Sequence, residues 1–378
     1  MRPISTIILL LAILFCSCIL LLCSCSTKEA ASPEGTVLTY VGQTDSIDAM
    51  TFLEPQQPFT IEMTDESAIK RISRVVNTGD TYYILDSGKY KIIAIDSHGK
   101  VKHVIDAVGG GPLEYTRVMD IAWDNKKNRL LILSHHKLLY ADSTGKIFES
   151  HDLKTYYDYV ASTANGIVLA NTADVNKKKA AYALTLMDSE DNMIEELPAI
   201  EDYAPYCRVN GPSLAKCGTK TIFTRKFDNK IYFVNDTAAN VAYEIDWQGH
   251  EFIPEKGSEY DCSQLFNETR EKQQVYSMSD FQVGDKYIFF RTNLSGYMLV
   301  DKESGDIKQL NRIYDREKGL VGLPTYIPAS GKGSMAFFVY PAEYFMMYAE
   351  HSKSEWIKNM AKGITEDSNP VIFPYKLK

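Results

Sequence analysis

Two short segments contain the residue types best suited to holding a ligand. Their candidate ligand-binding residues are Tyr156, Tyr157, Tyr159, Tyr203, Tyr206 and Arg208. A tyrosine ring has a flat apolar face and a polar tip, and the arginine fork pairs with anionic groups, so these side chains suit a sugar or an extended peptide. The alternative is that the tyrosines pack between strands with their hydroxyls in water. The segment from Tyr260 to Gln274 is a further candidate, because binding residues concentrate on loops of a rigid scaffold.

Motifs for metal or catalytic chemistry are weak. His135 and His136 are adjacent, and neighbours on a strand point to opposite faces, so they cannot both ligate one metal. The chain contains no His-Glu-x-x-His, Gly-x-Ser-x-Gly or Cys-x-x-Cys motif, which are the signatures of common metal and nucleophile sites. We therefore assign no catalytic residue and expect neither a metal nor a cofactor. A pair of carboxylates brought together from distant segments remains possible.

A glycine-rich segment is interpreted as a structural turn rather than a phosphate loop. Its residues are Gly109, Gly110, Gly111, Pro112, Glu114 and Tyr115. No Lys-Ser/Thr pair or helix start follows it, and a phosphate loop requires both. We expect the glycines to adopt positive φ and Pro112 to fix the exit of the turn.

The strongest pattern in the chain is a repeat of strand, aspartate and turn. Asp96 and Asp142 are 46 residues apart, and Asp188 lies another 46 residues on. Asn235 and Asp301 continue the series at intervals of 47 and 66 residues. A β-rich unit of roughly 40–50 residues is typical of a propeller blade. We expect these side chains to accept backbone N–H groups in the turns; a calcium site at one of them is the alternative.

The repeat predicts an all-β fold, a six-bladed β-propeller with one helical insertion in the last blade. Blades one to five cover roughly residues 69–106, 118–152, 157–197, 212–252 and 275–310, and the sixth starts near Leu320. The sixth blade lacks a strand, which a segment near Phe59–Met63 would supply, because closure removes exposed sheet edges. The helical insertion spans Pro341 to Gly363, with bulky residues expected to face the propeller. These residues are Tyr344, Phe345, Tyr348, Trp356, Ile357 and Met360. The insertion either packs on the side of the propeller or covers one mouth of its channel.

The N-terminus has the pattern of a targeting segment. Residues 4–25 are almost entirely apolar after Arg2, which fits a secretory signal or an uncleaved membrane anchor. The sequence Leu22-Cys23-Ser24-Cys25 resembles the lipobox of bacterial lipoproteins and predicts lipidation at Cys25; Cys18 ends a poorer match. The predicted organisation is a signal peptide over 1–24, a polar tether over 25–35 and the propeller over 36–378.

Composition narrows the partners. The chain of 378 residues has a formal charge of −8 and no basic stripe, so nucleic acid is not an expected partner. Three cysteines lie beyond the N-terminal segment, at Cys207, Cys217 and Cys262. A Cys207–Cys217 disulfide and three reduced thiols are both compatible with an exported chain.

The glycine turn, the repeated strand–Asp–turn–Gly-Lys unit, the lipobox and the ending Asp367-Ser-Asn-Pro-Val-Ile372 together resemble the six-bladed β-propeller lipoproteins of Bacteroidetes, distant relatives of NHL-repeat propellers. Leu113 stands where that family usually has glycine. The resemblance implies an envelope protein, lipid-anchored and expected at the outer membrane, but no catalytic residues. We therefore expect a binding or scaffold module for a glycan, peptide or protein partner. The alternatives are a hydrolase or lyase at the channel mouth, or a structural subunit of an envelope complex.

Overall fold

The structure is a computed structural model that describes residues 35–171, 182–188, 190, 192–198, 211–255 and 261–378. The predicted lipidation site Cys25 and the candidates Tyr203, Tyr206 and Arg208 lie outside these residues. Within them, no helix is both long and apolar enough to span a bilayer.

The described residues form a succession of antiparallel four-stranded units, here called blades. Before the first blade come β1 (Thr36–Thr44), β2 (Ile47–Asp48), a 3-10 helix (Ala49–Thr51), β3 (Leu53–Pro55) and β4 (Phe59–Thr60). Blade one contains β5 (Ile72–Asn77), β6 (Tyr82–Asp86), β7 (Lys91–Ile95) and β8 (Val101–Ile105). Blade two contains β9 (Asp120–Asp124), β10 (Arg129–Leu133), β11 (Lys137–Ala141) and β12 (Ile147–Asp152).

The next blades repeat this order along the chain. Blade three contains β13 (Tyr159–Ser162), β14 (Ile167–Ala170), β15 (Tyr182–Met187) and β16 (Met193–Pro198). Blade four contains β17 (Leu214–Cys217), β18 (Lys220–Thr224), β19 (Lys230–Val234) and β20 (Ala239–Asp246). Blade five contains β21 (Met278–Val283), β22 (Tyr287–Thr292), β23 (Tyr297–Asp301) and β24 (Asp306–Leu310), and β25 (Ile313–Tyr314) then pairs with β2. Blade six contains β26 (Thr325–Gly331), β27 (Met335–Tyr340) and β28 (Val371–Leu377).

The sixth blade is completed from the N-terminal side, as predicted. Strand β28 pairs antiparallel with β3 and with β4, so that Ile372 lies opposite Phe59. Inner strand β26 pairs in parallel with β5 of blade one. The described strands therefore join the two ends of the chain at one blade, and the predicted all-β propeller fold is confirmed.

The repeated aspartates cap turns, as the sequence predicted. The Asp96 carboxylate accepts the backbone N–H groups of His98 and Lys100 at 2.8 and 3.0 Å. Asp142 accepts those of Thr144 and Lys146 at 2.9 and 3.1 Å. The side-chain oxygen replaces the backbone acceptor that a tight turn lacks, which explains why aspartate, or asparagine at Asn235, recurs at this turn in blades one to five.

The core lies between adjacent blades. Val76, Leu85 and Ile92 of blade one form one buried cluster with Leu130 and Ile132 of blade two. These side chains alternate with the next row along each strand, so each blade covers one face with each neighbour. A blade alone would leave both apolar faces in water, which is why the repeat requires a closed ring.

In the part of the chain that the structure describes, α-helices occur at two places, and the sequence identified one of them. The predicted helical segment contains α2 (Ala342–His351) and α3 (Glu355–Met360). The segment from Tyr260 to Gln274, which we expected to be a binding loop, instead contains α1 (Cys262–Glu271). Asp261 begins α1 by accepting the N–H groups of Ser263 and Gln264, an N-cap that the sequence reading missed.

The two helices of blade six pack beside the sheet. Phe345 and Ile357 are buried, and the Phe345 ring lies 5.7 Å from that of Phe373 on β28. Tyr344, which we expected to face the propeller, is instead exposed, whereas the Trp356 ring is 39% exposed and lies 6.2 Å from that of Phe373. Strand β28 is thus covered by one narrow stripe of each helix, which favours side packing over a cover for the channel.

The glycine turn is structural, but for a different reason from the expected one. None of Gly109, Gly110 and Gly111 has positive φ. A Cβ atom on Gly109 would instead collide with the Glu114 carboxylate, which accepts the Gly111 N–H at 2.7 Å. Tyr115 is buried and donates its hydroxyl to the Ile105 carbonyl at 3.2 Å. Close approach of the carboxylate, rather than backbone conformation, therefore explains Gly109 and Gly111, whereas a Cβ atom on Gly110 would meet nothing within 4 Å.

Candidate ligand-binding site at the channel mouth

The inner strands of the blades converge on a cavity of about 370 Å³, here called the mouth. Every blade contributes to it, close to the start of its inner strand. The lining residues used below are Arg71, Arg74, Tyr90, Arg117, Asp120, Tyr159, Gly211, Asp280, Arg291, Thr325 and Tyr326. Its volume lies within the range of about 300–1,000 Å³ that is typical of ligand pockets.

An ion pair across the channel forms the floor of the mouth. Arg74 of β5 donates Nε and Nη2 to the two carboxylate oxygens of Asp120 on β9, at 2.6 and 2.5 Å. Nη2 also donates to the Leu214 carbonyl of blade four at 3.1 Å. Asp120 in turn accepts the Val160 N–H of blade three at 3.0 Å. One guanidinium and one carboxylate therefore link four blades.

This pair is buried, with 3% of each side chain exposed. Burial lowers the pKa of Arg74, but the Asp120 carboxylate outweighs it, so the Arg74 pKa lies above its usual value and the guanidinium stays charged. Removing one partner of such a pair costs about 3–5 kcal/mol, because the other charge is left without compensation.

A second ion pair lies on the opposite side of the mouth. Asp280 accepts Arg291 Nε at 2.8 Å and Nη2 at 2.6 Å. Asp280 has φ of 58° and sits at a break in the pairing between β21 and β22. A side chain at the position of Gly211 would collide with its carboxylate. Left-handed backbone at a residue other than glycine is uncommon and tends to occur at functional sites, which points to this position.

The tyrosines of the mouth are neutral hydrogen-bonding groups. Tyr159 donates to the Gly211 carbonyl at 3.3 Å, and Tyr326 donates to the Asp280 carbonyl at 3.2 Å. Burial, followed by the nearby carboxylates, raises the pKa of Tyr159 far above its usual value, and the pKa of Tyr326 is raised in the same way. Both therefore keep their protons and hold fixed orientations at the rim of the floor.

The three predicted tyrosines that the structure describes lie in different environments. Tyr159 lines the mouth. Tyr157 is buried and donates its hydroxyl to Thr185 at 2.9 Å, so it packs in the core of blade three. Tyr156 contacts the Met119 sulfur through its hydroxyl at 3.8 Å, and its ring lies 5.7 Å from that of His135. Of the three, only Tyr159 is placed where a molecule in the mouth would touch it.

The arginines are the residues that the sequence reading missed. Arg71 and Arg117 are 46 residues apart, as are Arg74 and Asp120. This is the interval that aligned Asp96 with Asp142. The repeat therefore contained the signal, because equivalent positions in adjacent blades meet around one axis. Each arginine taken alone resembles any other surface cation.

A second cavity, here called the groove, adjoins the mouth between blades five and six. Its volume is about 480 Å³, and its lining includes Phe266, Arg270, Ser295, Asn311 and Arg312. Arg291 and Thr325 line both cavities. The two cavities therefore share part of their lining.

The chemistry available at the mouth is recognition of polar and anionic groups. Among the described residues, no three His, Cys, Asp or Glu side chains are placed to hold one metal ion. The two carboxylates of the mouth, Asp120 and Asp280, are each bonded to an arginine. Each carboxylate is therefore engaged by a guanidinium rather than free to exchange a proton with a substrate. Cys217, one of the two cysteines of the candidate disulfide, is a buried free thiol that donates to the Phe281 carbonyl. Cys207 lies outside the described residues.

Together, the ring of antiparallel blades and the cavity on its axis define a β-propeller with an axial site. The chain belongs to the family described as a domain of unknown function, DUF4934, whose model matches residues 43–376. No curated protein matches the chain in sequence.

Two solved structures share this fold. A protein of Bacteroides fragilis NCTC 9343, described as exported, is 16% identical with a TM-score of 0.71, covering 91% of this chain and 100% of its own. A member of the DUF4221 family from Bacteroides vulgatus ATCC 8482 is 9% identical with a TM-score of 0.51, covering 86% of this chain and 98% of its own. At these identities the likeness concerns the fold alone.

Proposed function

We propose that this chain is a ligand-binding module of the bacterial cell envelope, a six-bladed propeller anchored by a lipid on Cys25 and expected at the outer membrane. The mouth carries the proposal, because charged or aromatic side chains from blades one, two, three, five and six converge there on a rigid floor. Preorganised polar groups bind a ligand without paying to order themselves. The exported relative in Bacteroides and the lipobox-like sequence support the location.

Binding fits the geometry better than catalysis. A hydrolase or lyase needs a group free to give or take a proton near the substrate. The carboxylates at the mouth are held by Arg74 and Arg291, and Tyr159 is held protonated. These groups can orient a ligand and neutralise its charge.

The proposal is tested with the full chain purified in detergent and applied to arrays of oligosaccharides and short peptides. Arg117 is exposed and lines the mouth, so Arg117→Ala should remove or weaken the signals without unfolding the protein. Arg316→Ala is the matched control, since the Arg316 side chain is 79% exposed and lies in neither cavity.

Signals lost in the Arg117 variant and kept in the Arg316 variant would support binding at the mouth. Equal signals in both variants would show that any ligand binds elsewhere. Conversion of an arrayed compound into a product would favour the hydrolase or lyase instead.

A further inference from the structure

Among the described residues, the cationic side chains that line the mouth and the groove are arginines rather than lysines. The chain has eleven arginines and thirty lysines, yet no lysine of the described residues lines either cavity. Six arginines do, namely Arg71, Arg74, Arg117, Arg270, Arg291 and Arg312. The guanidinium fork matches carboxylate, sulfate and phosphate oxygens in pairs, whereas a lysine offers a point charge. This bias towards arginine indicates that the cavities bind planar or multi-oxygen anions. Charges that only keep the protein soluble would not require arginine in place of lysine.

Most of this charge is uncompensated among the described residues. Arg74 and Arg291 are paired with Asp120 and Asp280. The other four arginines of the two cavities form no ion pair with a carboxylate of the described chain. The whole chain nevertheless has a formal charge of −8. A cationic cavity in an acidic protein concentrates and steers anionic ligands.

The Arg74 guanidinium gives a second reason to expect an anionic ligand, independent of the number of arginines. Its Nη1 atom is buried and has no hydrogen-bond partner, although Nε and Nη2 are fully used. Buried donors are almost always paired, and an exception calls for a specific explanation. An anionic oxygen of a ligand on the floor of the mouth would complete this guanidinium.

The arginines are distributed over both cavities. Arg71 and Arg117 line the mouth, Arg270 and Arg312 line the groove, and Arg291 lines both. A small anion would contact the arginines of one cavity only. A chain with repeated anionic groups would meet arginines along its length.

The remaining groups suit a sugar chain better than a peptide. The groove has exposed polar side chains that can hydrogen-bond sugar hydroxyls. They belong to Ser295, Asn311 and Thr325. Peptides bind through free backbone groups, through an apolar groove or, where they are acidic, through arginine clusters, so an acidic peptide is the competing ligand. At the mouth, the N–H groups of Val160 and Asp280 are already bonded, to Asp120 and to the Pro212 carbonyl.

We propose that the mouth and the groove together bind one extended anionic oligosaccharide, with its carboxylate or sulfate groups on the arginines. This rests on the proposed binding function at the mouth and names the class of its ligand. The carboxylates of a uronic acid and the sulfates of a sulfated sugar present the same chemistry to an arginine.

The test measures binding of the full chain in detergent by calorimetry. The probes are galacturonic acid oligomers of two and six units, a heparin hexasaccharide, maltohexaose as the neutral control and hexaglutamate as the acidic peptide. The hexamer of galacturonate or of heparin should bind, more tightly than the dimer and more weakly as salt rises. Tighter binding of the galacturonate hexamer would assign the site to carboxylates. Tighter binding of heparin, which carries sulfates as well as uronate carboxylates, would indicate a requirement for sulfate or for higher charge density.

Two pairs of variants locate the ligand. Arg71→Gln with Arg117→Gln should weaken the preferred hexamer by about tenfold or more, the expected effect of losing charged hydrogen bonds. Arg270→Gln with Arg312→Gln should remove the advantage of the hexamer over the dimer. Arg316→Gln should leave both affinities unchanged.

Tighter binding of maltohexaose would overturn the inference while leaving a ligand-binding mouth intact. Tighter binding of hexaglutamate would show that the ligand is an acidic peptide and would also overturn it. Binding of the anionic hexamers that is unaffected by either pair of variants, or no binding of any anionic sugar, would refute it as well. The array experiment on the mouth decides the proposed function separately.

Discussion

Arg74 shows how one residue can serve both the fold and the site. It joins blade one to Asp120 of blade two and to the Leu214 carbonyl of blade four, and it forms the floor of the mouth. A hydrophobic floor could hold the blades together equally well, since buried ion pairs often add little net stability. The charge is therefore better explained by what it presents to the cavity than by the strength of the link.

The glycine turn gives a prediction at the level of one atom. Gly109→Ala should displace the Glu114 carboxylate and lose its bond to the Gly111 N–H, which would lower the free energy of unfolding by about 1 kcal/mol. Gly110→Ala is the matched control, because a Cβ atom there meets nothing within 4 Å. Its effect should stay within about 0.5 kcal/mol. Denaturant unfolding of both variants checks this, and equal effects would contradict the role of Glu114.

His103 predicts a dependence of stability on pH. Its ring lies 5.9 Å from that of Tyr83, and its Nε2 atom is buried without a partner. Burial lowers the pKa of His103 below its usual 6.5, with Asp142 acting in the opposite direction. The unfolded chain therefore binds the proton more tightly than the folded chain. The contribution of the neutral ring is complete above pH 6.5 and is lost as the pH falls towards the folded pKa.

This is measured by denaturant unfolding between pH 8 and 5. The free energy of unfolding should fall below pH 6.5, and His103→Gln should reduce that fall. His136→Gln serves as the control because His136 is exposed. A fall of the same size in the His103 variant as in the unchanged protein would assign the pH dependence to other groups, His135 among them.

At the scale of elements, strand β1 has a role that differs from the other N-terminal strands. It pairs in parallel with β20 along Thr36–Thr39 and with β24 along Thr39–Thr44. It thus joins the outer edges of blades four and five, whereas β3 and β4 complete blade six. Covering the outer edges leaves fewer unpaired N–H and C=O groups for pairing with another chain.

The inward side of β1 should therefore matter for stability. Leu38 is 1% exposed and packs with Tyr243 and Ile307 of the neighbouring blades. Leu38→Ala should lower the free energy of unfolding by about 2–5 kcal/mol, through lost burial and a remaining cavity. Val37→Ala, at a side chain that is 55% exposed, should change it by no more than about 0.5 kcal/mol. Similar values for both variants in urea unfolding would show that β1 is not packed on the blades.

Local patterns predicted most of the elements, and contacts between distant segments account for the rest. The turns at Asp96 and Asp142 and the pairing of Phe59 with β28 depend on short motifs and on the need to close an edge. The position of β1 depends on two edges that are more than two hundred residues away along the chain. The burial of Tyr157 and the exposure of Tyr344 likewise follow from tertiary packing, which a local pattern does not encode.

The site was harder to predict than the fold for the same reason. A propeller builds its mouth from one or two residues of each blade, so no local motif contains it. Tyr159 was found because it lies in an unusual run of tyrosines. Arg71, Arg117 and Arg291 belong to no such run, and only the interval between equivalent positions in successive blades connects the first two.

At the scale of the whole molecule, the mouth and the chain termini have separate roles. The N-terminal strands β1 and β4 pair with strands of blades four, five and six, whereas residues of every blade line the mouth. Among the described residues, none of those in β1, β3 or β4 lines the mouth, so closure of the propeller and lining of the mouth depend on different residues.

The proposed anchor makes the last prediction. Cys25 follows Leu22, Cys23 and Ser24 at the end of the apolar segment, and acylation there would hold the chain stably only if more than one acyl chain is attached, because a single chain binds marginally. In cells, Cys25→Ser should release the protein from the membrane fraction or leave its precursor unprocessed, and Cys18→Ser should do neither. Fractionation with mass spectrometry of the mature N-terminus checks this. A processed protein of the Cys25 variant that stays in the membrane fraction would show that the anchor lies elsewhere.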